Sequence, residues 1–424
     1  MELVLPSKEQ IEWADCEIGV IIHLDLVTFA KKNYNFRRHW KKPLSPDLFN
    51  PEYLNTDQWI EAAAKMGAKY AILVAKHCTG FCLWPTKAYD YSVATSPWKN
   101  GKGDIVRDFI DSCNKYGVKP GLYYSSYCNQ YLKADNGRVL SNDKYEQERY
   151  NSIVIKQLTE LWGNYGKLFE IWFDGGCLPV EEGGPDIVSL LHKLQPDANV
   201  FQGPEGTKSL LRWVGNEKAH APENCSSIFN FKVMRETGTT EYDGSGDTHG
   251  DTWCPAESDR PNREAPSIQG GWFWQKGEEK YIVPPQELYE MYINSVGRNT
   301  NMLIGMGIDK NGLFPKEDVD QFNQFSKLIK ENFTDELFSA EIKPDCISYL
   351  LKAPKNIKSK YVVLQEDISY GELVEEFIIF ADSKEYYKGK IIGHKRIIPV
   401  SASEIEIKIT KYKTSPKLKA IKLY

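Results

Sequence analysis

The sequence predicts an α/β protein: a (β/α)8-like TIM barrel followed by a small antiparallel β-sandwich domain. Three observations predict it. Between residues 19 and about 330, strands that are apolar throughout alternate with amphipathic helices, the pattern of a parallel sheet covered on its faces. About seven or eight such units fit within roughly 300 residues, which favours a closed barrel. Beyond residue 335 the helical period disappears and short β-branched runs alternate, as in an antiparallel sandwich. An open doubly wound sheet is the competing arrangement, but no Gly-rich phosphate loop supports it.

The elements follow in order. "GVIIHLD" is a short strand ending at His23 and Asp25. Asn55 and Thr56 can cap "DQWIEAAAKMG", where Trp59, Ala63 and Met66 share one face and Gly67 is the stop. "YAILVAKH" is the next strand and ends at Lys76 and His77. Asp104 caps "IVRDFIDSCNKYG", with Val106, Phe109, Ile110 and Cys113 as the buried stripe. "KPGLYYSS" is the third strand, and a long helix is expected over 143–166. "LFEIWFDGG" is the fourth, delivering Asp174 onto a Gly-Gly turn. Helix 186–195, strands near "NVFQG" and "LLRWVGNE", helix 285–297 and strand "NMLIGMG" complete the series. "YVVLQ", "LVEEFIIFAD", "YKGKIIGHKRIIPV" and "EIEIKIT" form the terminal domain. The boundary falls within 333–345, giving domains 1–335 and 336–424. No repeat or low-complexity segment is visible.

Composition narrows the function. The chain has 424 residues, Lys+Arg 53 against Asp+Glu 58 and a net charge of −5, so no basic field is offered to nucleic acid or to a membrane surface. No window approaches 18 uncharged apolar residues, which excludes a transmembrane helix. "MELVLPSKEQ" lacks a signal-peptide pattern. The expectation is a soluble protein, cytoplasmic as the chain stands, or periplasmic or secreted if it is a processed mature form. The nine cysteines are scattered and read as reduced, structural thiols; Cys78 and Cys82 lack a partner cluster of zinc spacing. No cofactor or metal is expected.

In a parallel barrel the chemistry gathers at the C-terminal strand ends. Each residue there has a plain alternative: a strand-end His is usually structural, an Asp before Gly equally forms a turn, and Glu217 in "GNEK" reads as a loop residue. The set is more telling. Two carboxylates among His, Tyr and Trp are what glycoside hydrolysis needs, one to attack the anomeric carbon or activate water and one to protonate the departing oxygen. Aromatic walls stack on the apolar faces of a sugar. No nucleophile elbow or metal cage is evident for the rival hydrolase classes.

The motifs "NTDQWIEAAAKMGAKYAILVAKHCTGFCLWPTKAYDYSVATSPWKNGKGDIVRDF", "KPGLYYSS", "FEIWFDGG", "RWVGNE", "WCPAESD", "GGWFW" and "YINSVGRNTNMLIGMGIDKNGL" together resemble the α-L-fucosidases of glycoside hydrolase family 29. The resemblance runs over nearly the whole chain, and points to the branch acting on α-1,3/1,4-linked fucose. It implies a retaining exo-glycosidase that releases terminal α-L-fucose from fucosylated oligosaccharides or glycoconjugates through a covalent glycosyl-enzyme. Asp174 matches the family's nucleophile and Glu217 the branch's acid/base, with Glu257 in "CPAESD" held in reserve. Sugar contacts carry over to His23, His77, Tyr124, Trp84 and Trp272; Asp25 is added on strand parity alone.

Three departures border the expected pocket. "HCTG" stands where the family usually reads H-H-D-G, so Cys78 and Thr79 replace a His and an Asp. "LDLVTFAKKNYNFRRHW" and "SSYCNQ" also differ from the usual runs. A thiol is a weak hydrogen-bond partner for a sugar hydroxyl, so the preferred glycone is expected to shift, for instance toward α-L-galactosides. A non-catalytic sugar-binding protein on the same fold is the alternative from another class. For the terminal domain, support of the barrel is favoured over carbohydrate binding, since it shows no aromatic platform.

Overall fold

The computed structural model describes all residues except 1–2, 32–33, 36–39, 41, 232–243 and 268. Part of the divergent run after His23 therefore lies outside the described residues. Eight strands close a barrel: β1 (Ile18–His23), β2 (Tyr70–Lys76), β3 (Lys119–Tyr124), β4 (Glu170–Trp172), β5 (Asn199–Phe201), β6 (Leu210–Trp213), β7 (Ala256–Arg260) and β8 (Asn301–Gly307). Each pairs with its neighbours in sequence, all pairs are parallel, and β8 closes on β1. This is the expected barrel, with one strand the sequence did not announce. β7 reads "AESDR", is buried along its whole length, and has no apolar run to reveal it.

The local signals act as written. α3 (Thr56–Met66) is capped by the Asn55 side chain, which accepts from Gln58 N, and it stops at Gly67 in the left-handed region. α4 (Ile105–Tyr116) repeats the device with Asp104 and Gly117. Trp59, Ala63 and Met66 of α3 and the Val106, Phe109, Ile110 and Cys113 stripe of α4 bury against the outer face of the barrel. Truncating a tryptophan such as Trp59 to alanine in this layer costs about 3–5 kcal/mol. α5 (Lys144–Asn164) and α6 (Ile187–Leu194) follow β3 and β4, and α7 (Pro285–Ser295) and α8 (Lys316–Phe333) flank β8.

Two apolar layers result, and strand parity separates them. Ile21, Tyr70, Ile72, Val74, Tyr123, Trp172, Phe201, Leu211 and Leu303 fill the barrel interior. Val20, Ile22, Leu73, Leu122, Tyr124, Ile171 and Ile304 face the helices. α1 (Lys8–Cys16) closes the N-terminal end: Trp13 donates its indole N–H to Glu170 Oε2 at 2.9 Å, and Asn301 Nδ2 donates to the Trp13 carbonyl at 2.7 Å.

Beyond α8, strands β9 (Phe338–Ser339) to β16 (Leu418–Leu423) make two four-stranded sheets whose pairs are all antiparallel. Leu351, Val362, Leu364, Phe377, Ile379, Ile405 and Ile407 form the core between them. Glu372 ties this domain to the barrel, accepting from Ser226 Oγ at 2.6 Å, Ser227 N at 2.7 Å and Asn299 Nδ2 at 2.7 Å.

Candidate active site

Side chains leaving the C-terminal strand ends enclose a cavity of about 290 Å³ lined by Ile21, His23, His77, Cys78, Tyr123, Trp172, Asp174, Glu217, Asp259, Gln269, Trp272 and Phe273. Of the residues singled out from the sequence, Asp174, Glu217, His23, His77 and Trp272 meet here. Asp174 follows β4 and precedes Gly175 and Gly176, both at positive φ (72° and 79°). Two consecutive left-handed residues demand glycine, so the "DGG" run lets the chain turn sharply at the cavity wall while Asp174 stays on it.

The walls are aromatic. The Trp272 ring lies 5.1 Å from that of His23, and Phe273 lies 5.1 Å from His23 and 4.9 Å from His77. From His77 the ring contacts continue to Tyr123 and Trp172, which stack in series at 5.9 and 5.3 Å. Gly305 of β8 admits this packing, because a Cβ there would sit 2.9 Å from the Trp272 ring.

The polar groups are held in distinct protonation environments. The Tyr123 hydroxyl donates to Asp174 Oδ2 at 2.9 Å, a bond that favours the carboxylate. Burial raises the Glu217 carboxyl above the ordinary range; a hydrogen bond with Trp272 opposes this and the charge of Asp174 adds to it. Asp259 is raised further, by burial foremost, although the Trp213 indole donates to it at 2.6 Å. Burial pulls His23 down to about 3, so it stands as a neutral imidazole.

Three expected sugar contacts and the reserve acid/base lie elsewhere. Tyr124 points outward and donates to Gln157 Oε1 of α5 at 2.7 Å; its neighbour Tyr123 has the inward parity, and the alternation of a strand allows only one of the two inside. Trp84 packs in the outer layer and donates to Glu160 Oε2 at 2.9 Å. Asp25 lies past the end of β1, where strand parity no longer holds. It caps α2 (Leu26–Phe29), accepting from Val27 N at 3.2 Å and from the Thr79 hydroxyl at 2.6 Å. Glu257, the reserve acid/base, sits below the cavity: it accepts from Tyr70 Oη at 2.6 Å and Trp172 Nε1 at 2.8 Å and is hydrogen-bonded to Glu170. Two residues on, Asp259 shares its inward face and reaches the cavity.

Sequence reasoning thus missed Tyr123, Asp259, Gln269 and Phe273. Parity along "GLYY" and "AESD" separates inward from outward positions only once one inward residue is known, and the structure supplies that residue. Of the "HCTG" departure only Cys78 lines the cavity, while Thr79 turns away to Asp25. No lining residue comes from "SSYCNQ" among the described residues.

All nine cysteines are free thiols. Among the described residues, His77, Cys78 and Asp174 form a group able to hold a metal ion: one ligand atom from each lies within 4.8 Å of the others. No helix among the described residues is long and apolar enough to cross a membrane.

Known proteins are similar to this chain in sequence and fold. The profile of the family Alpha-L-fucosidase matches residues 4–333. Alpha-L-fucosidase 1 of Arabidopsis thaliana is 29% identical over 479 positions, covering 100% of this chain and 88% of the plant protein. A Bacteroides thetaiotaomicron protein proposed to be an alpha-L-fucosidase superposes with a TM-score of 0.91 at 32% identity, covering 100% of this chain and 99% of its own. A glycoside hydrolase 29 family member from an unknown rumen bacterium superposes with a TM-score of 0.82 at 28% identity, covering 100% and 77%. The profile match over most of the chain and the shared fold place this protein in the alpha-L-fucosidase family of glycoside hydrolases, family 29.

Proposed function

We propose that the protein is a retaining exo-α-L-fucosidase in which Asp174 attacks the anomeric carbon and Glu217 serves as acid and then base. One observation carries this reading: two carboxyl groups from different strand ends face a single sugar-sized cavity, one accepting a hydrogen bond from Tyr123 and the other raised by burial. Tyr123 donates to Asp174 and so favours an anionic nucleophile, while burial favours a protonated Glu217. That division is the one double displacement requires.

In the first step the Asp174 carboxylate forms a bond to C1 as the C1–O bond to the aglycone breaks, and the Glu217 proton passes to the leaving oxygen. In the second, Glu217 takes a proton from water as that water displaces Asp174. Trp272 and Phe273 supply the apolar wall for the sugar. Neutral His23, together with His77 and the buried Asp259 carboxyl, supplies hydroxyl contacts. Residues 1–335 carry this chemistry and residues 336–424 support it.

The substrate class is a fucosylated oligosaccharide or glycoconjugate, with α-1,3/1,4 linkages favoured by the likeness of "RWVGNE". Cys78 in the cavity wall favours a second glycone: a thiol there tolerates a sugar that differs from L-fucose at its periphery, and α-L-galactosides are the first to try. The test is NMR of the sugar released from aryl α-L-fucosides and α-L-galactosides, followed from the first turnover. Retention gives the α-anomer first, before mutarotation. A β-anomer first would overturn double displacement, and no turnover of any α-L-fucoside would overturn the activity.

A further inference from the structure

We propose that the cavity wall doubles as a binding site for a borderline divalent cation such as Zn²⁺, held by His77, Cys78 and Asp174, and that cation and sugar exclude one another. Three side chains place an imidazole nitrogen, a thiol sulfur and a carboxylate oxygen within 4.8 Å of one another. That mixed set matches Zn²⁺, whereas Mg²⁺ and Ca²⁺ take shells of oxygen. Bonds of about 2.0–2.3 Å in a tetrahedral site put ligand atoms roughly 3.6 Å apart. Closing from 4.8 Å therefore asks for shifts that side-chain rotation supplies.

The surroundings hold the three ligands in place. His77 and Cys78 follow the end of β2, and Asp174 lies two residues past the end of β4, so two barrel strands anchor the segments that carry the ligands. Tyr123 Oη, 2.9 Å from Asp174 Oδ2, orients the carboxylate as outer hydrogen bonds orient metal ligands. Behind the thiol stand Ser125 Oγ at 3.9 Å and the hydrogen-bonding Cys128 thiol. Three protein ligands leave a fourth position open to the cavity, for water. On binding, the metal–sulfur bond replaces the Cys78 S–H bond and the proton passes to solvent; nothing is oxidised or reduced. The cation then engages the Asp174 carboxylate, so the group that would attack the sugar is occupied. Binding itself does not depend on the catalytic reading; the exclusion of sugar does.

The test uses the full chain, reduced and washed with chelator, titrated with Co²⁺, whose bond to a thiolate gives a near-ultraviolet charge-transfer band. The band should saturate at one equivalent and be bleached by Zn²⁺. It should vanish in Cys78→Ser, persist in Cys177→Ser, and persist in Asp174→Asn with Co²⁺ affinity lower by at least about tenfold, no less than the loss of an outer-shell partner costs. In the wild type, Zn²⁺ should inhibit aryl α-L-fucoside hydrolysis competitively and reversibly with chelator. Cys78→Ser, read against its own metal-free rate, should need at least about tenfold more Zn²⁺. No charge-transfer band, a band that survives Cys78→Ser, or an affinity unchanged in Asp174→Asn overturns the site. One-equivalent binding without competitive inhibition overturns the exclusion of sugar. If no α-L-fucoside is cleaved, the catalytic reading fails while the Co²⁺ titration still decides the site.

Discussion

The barrel carries buried acids at both of its ends, and the two ends use them differently. At the floor, Glu170 and Glu257 hydrogen-bond to each other, enclosed by Trp13, Tyr70 and Trp172. Burial pushes Glu257 up to about 7 and raises Glu170 well above the carboxylate range, with the charge of Glu257 adding to the latter. At the mouth, Asp174 and Glu217 face an open cavity of about 290 Å³. Both pairs lie inside one barrel, and burial raises Glu217 at the mouth as it raises both acids of the floor. What separates them is access: the floor pair is sealed by indole and phenol donors, while the mouth pair is left facing room for a sugar ring. A perturbed carboxyl is therefore a candidate for chemistry only where the packing also leaves space for a substrate.

This contrast breaks most visibly at Asp174. Asp174→Ala should lower kcat on aryl α-L-fucosides by about 10³-fold or more, the usual cost of removing a nucleophile; a loss below tenfold would move the mouth pair into the same class as the floor pair. Glu217→Gln should cost about 10²–10⁴-fold with poor leaving groups and markedly less with an activated aryl group that departs without a proton. The sharpening measurement is the rate ratio between the two substrates, which should stay unchanged in Glu257→Gln. Next comes parity: Tyr123→Phe removes a hydrogen bond to a carboxylate, about 1.5–3 kcal/mol, or roughly 10- to 100-fold in kcat/KM. Tyr124→Phe, one residue on, should leave kcat/KM within about twofold and lower Tm instead.

The smallest effect on rate belongs to the floor, where it appears as stability. Glu257 holds its proton up to about 7 when folded against an ordinary value of 4.5, so between those limits the folded state binds more protons than the unfolded one. Stability contributed by this group is therefore present at low pH and lost as pH rises through that window. Glu257→Gln should flatten the fall of Tm between about pH 4.5 and 7 and leave the pH–rate profile in place. A shifted profile would show that floor and mouth act as one.

Much of this was legible in the residues. Asn55 and Asp104 announced their helices, the all-apolar strands announced a parallel sheet, and "WFDGG" announced an acid at a strand end, because each signal is complete within a few consecutive residues. The "RWVGNE" frame placed Glu217 on the same face by likeness rather than by periodicity. The strand "AESDR" stayed hidden, since its inward acids satisfy themselves with Tyr70, Trp172 and Trp213, partners remote in sequence. The same remoteness hid the approach of Cys78 to Asp174.

By itself, then, the sequence determined the alternation of strands and helices, their caps and stops, the change to an antiparallel domain, and the two acids that family likeness singles out. Only the tertiary structure decided that Tyr123 and not Tyr124 faces the cavity, that Asp259 and not Glu257 reaches it, and that Asp25 and Trp84 do not. The physical reason lies in closure. On a half-exposed strand the alternation of apolar and polar residues records which face is inward. In a closed barrel sheathed by helices both faces are buried, so that record is erased. Height along the axis depends on inter-strand register: Glu257 pairs with Asn301 at the start of β8, whereas Asp259 pairs with Leu303 further up. No single strand carries that information; it exists only once the eight are assembled.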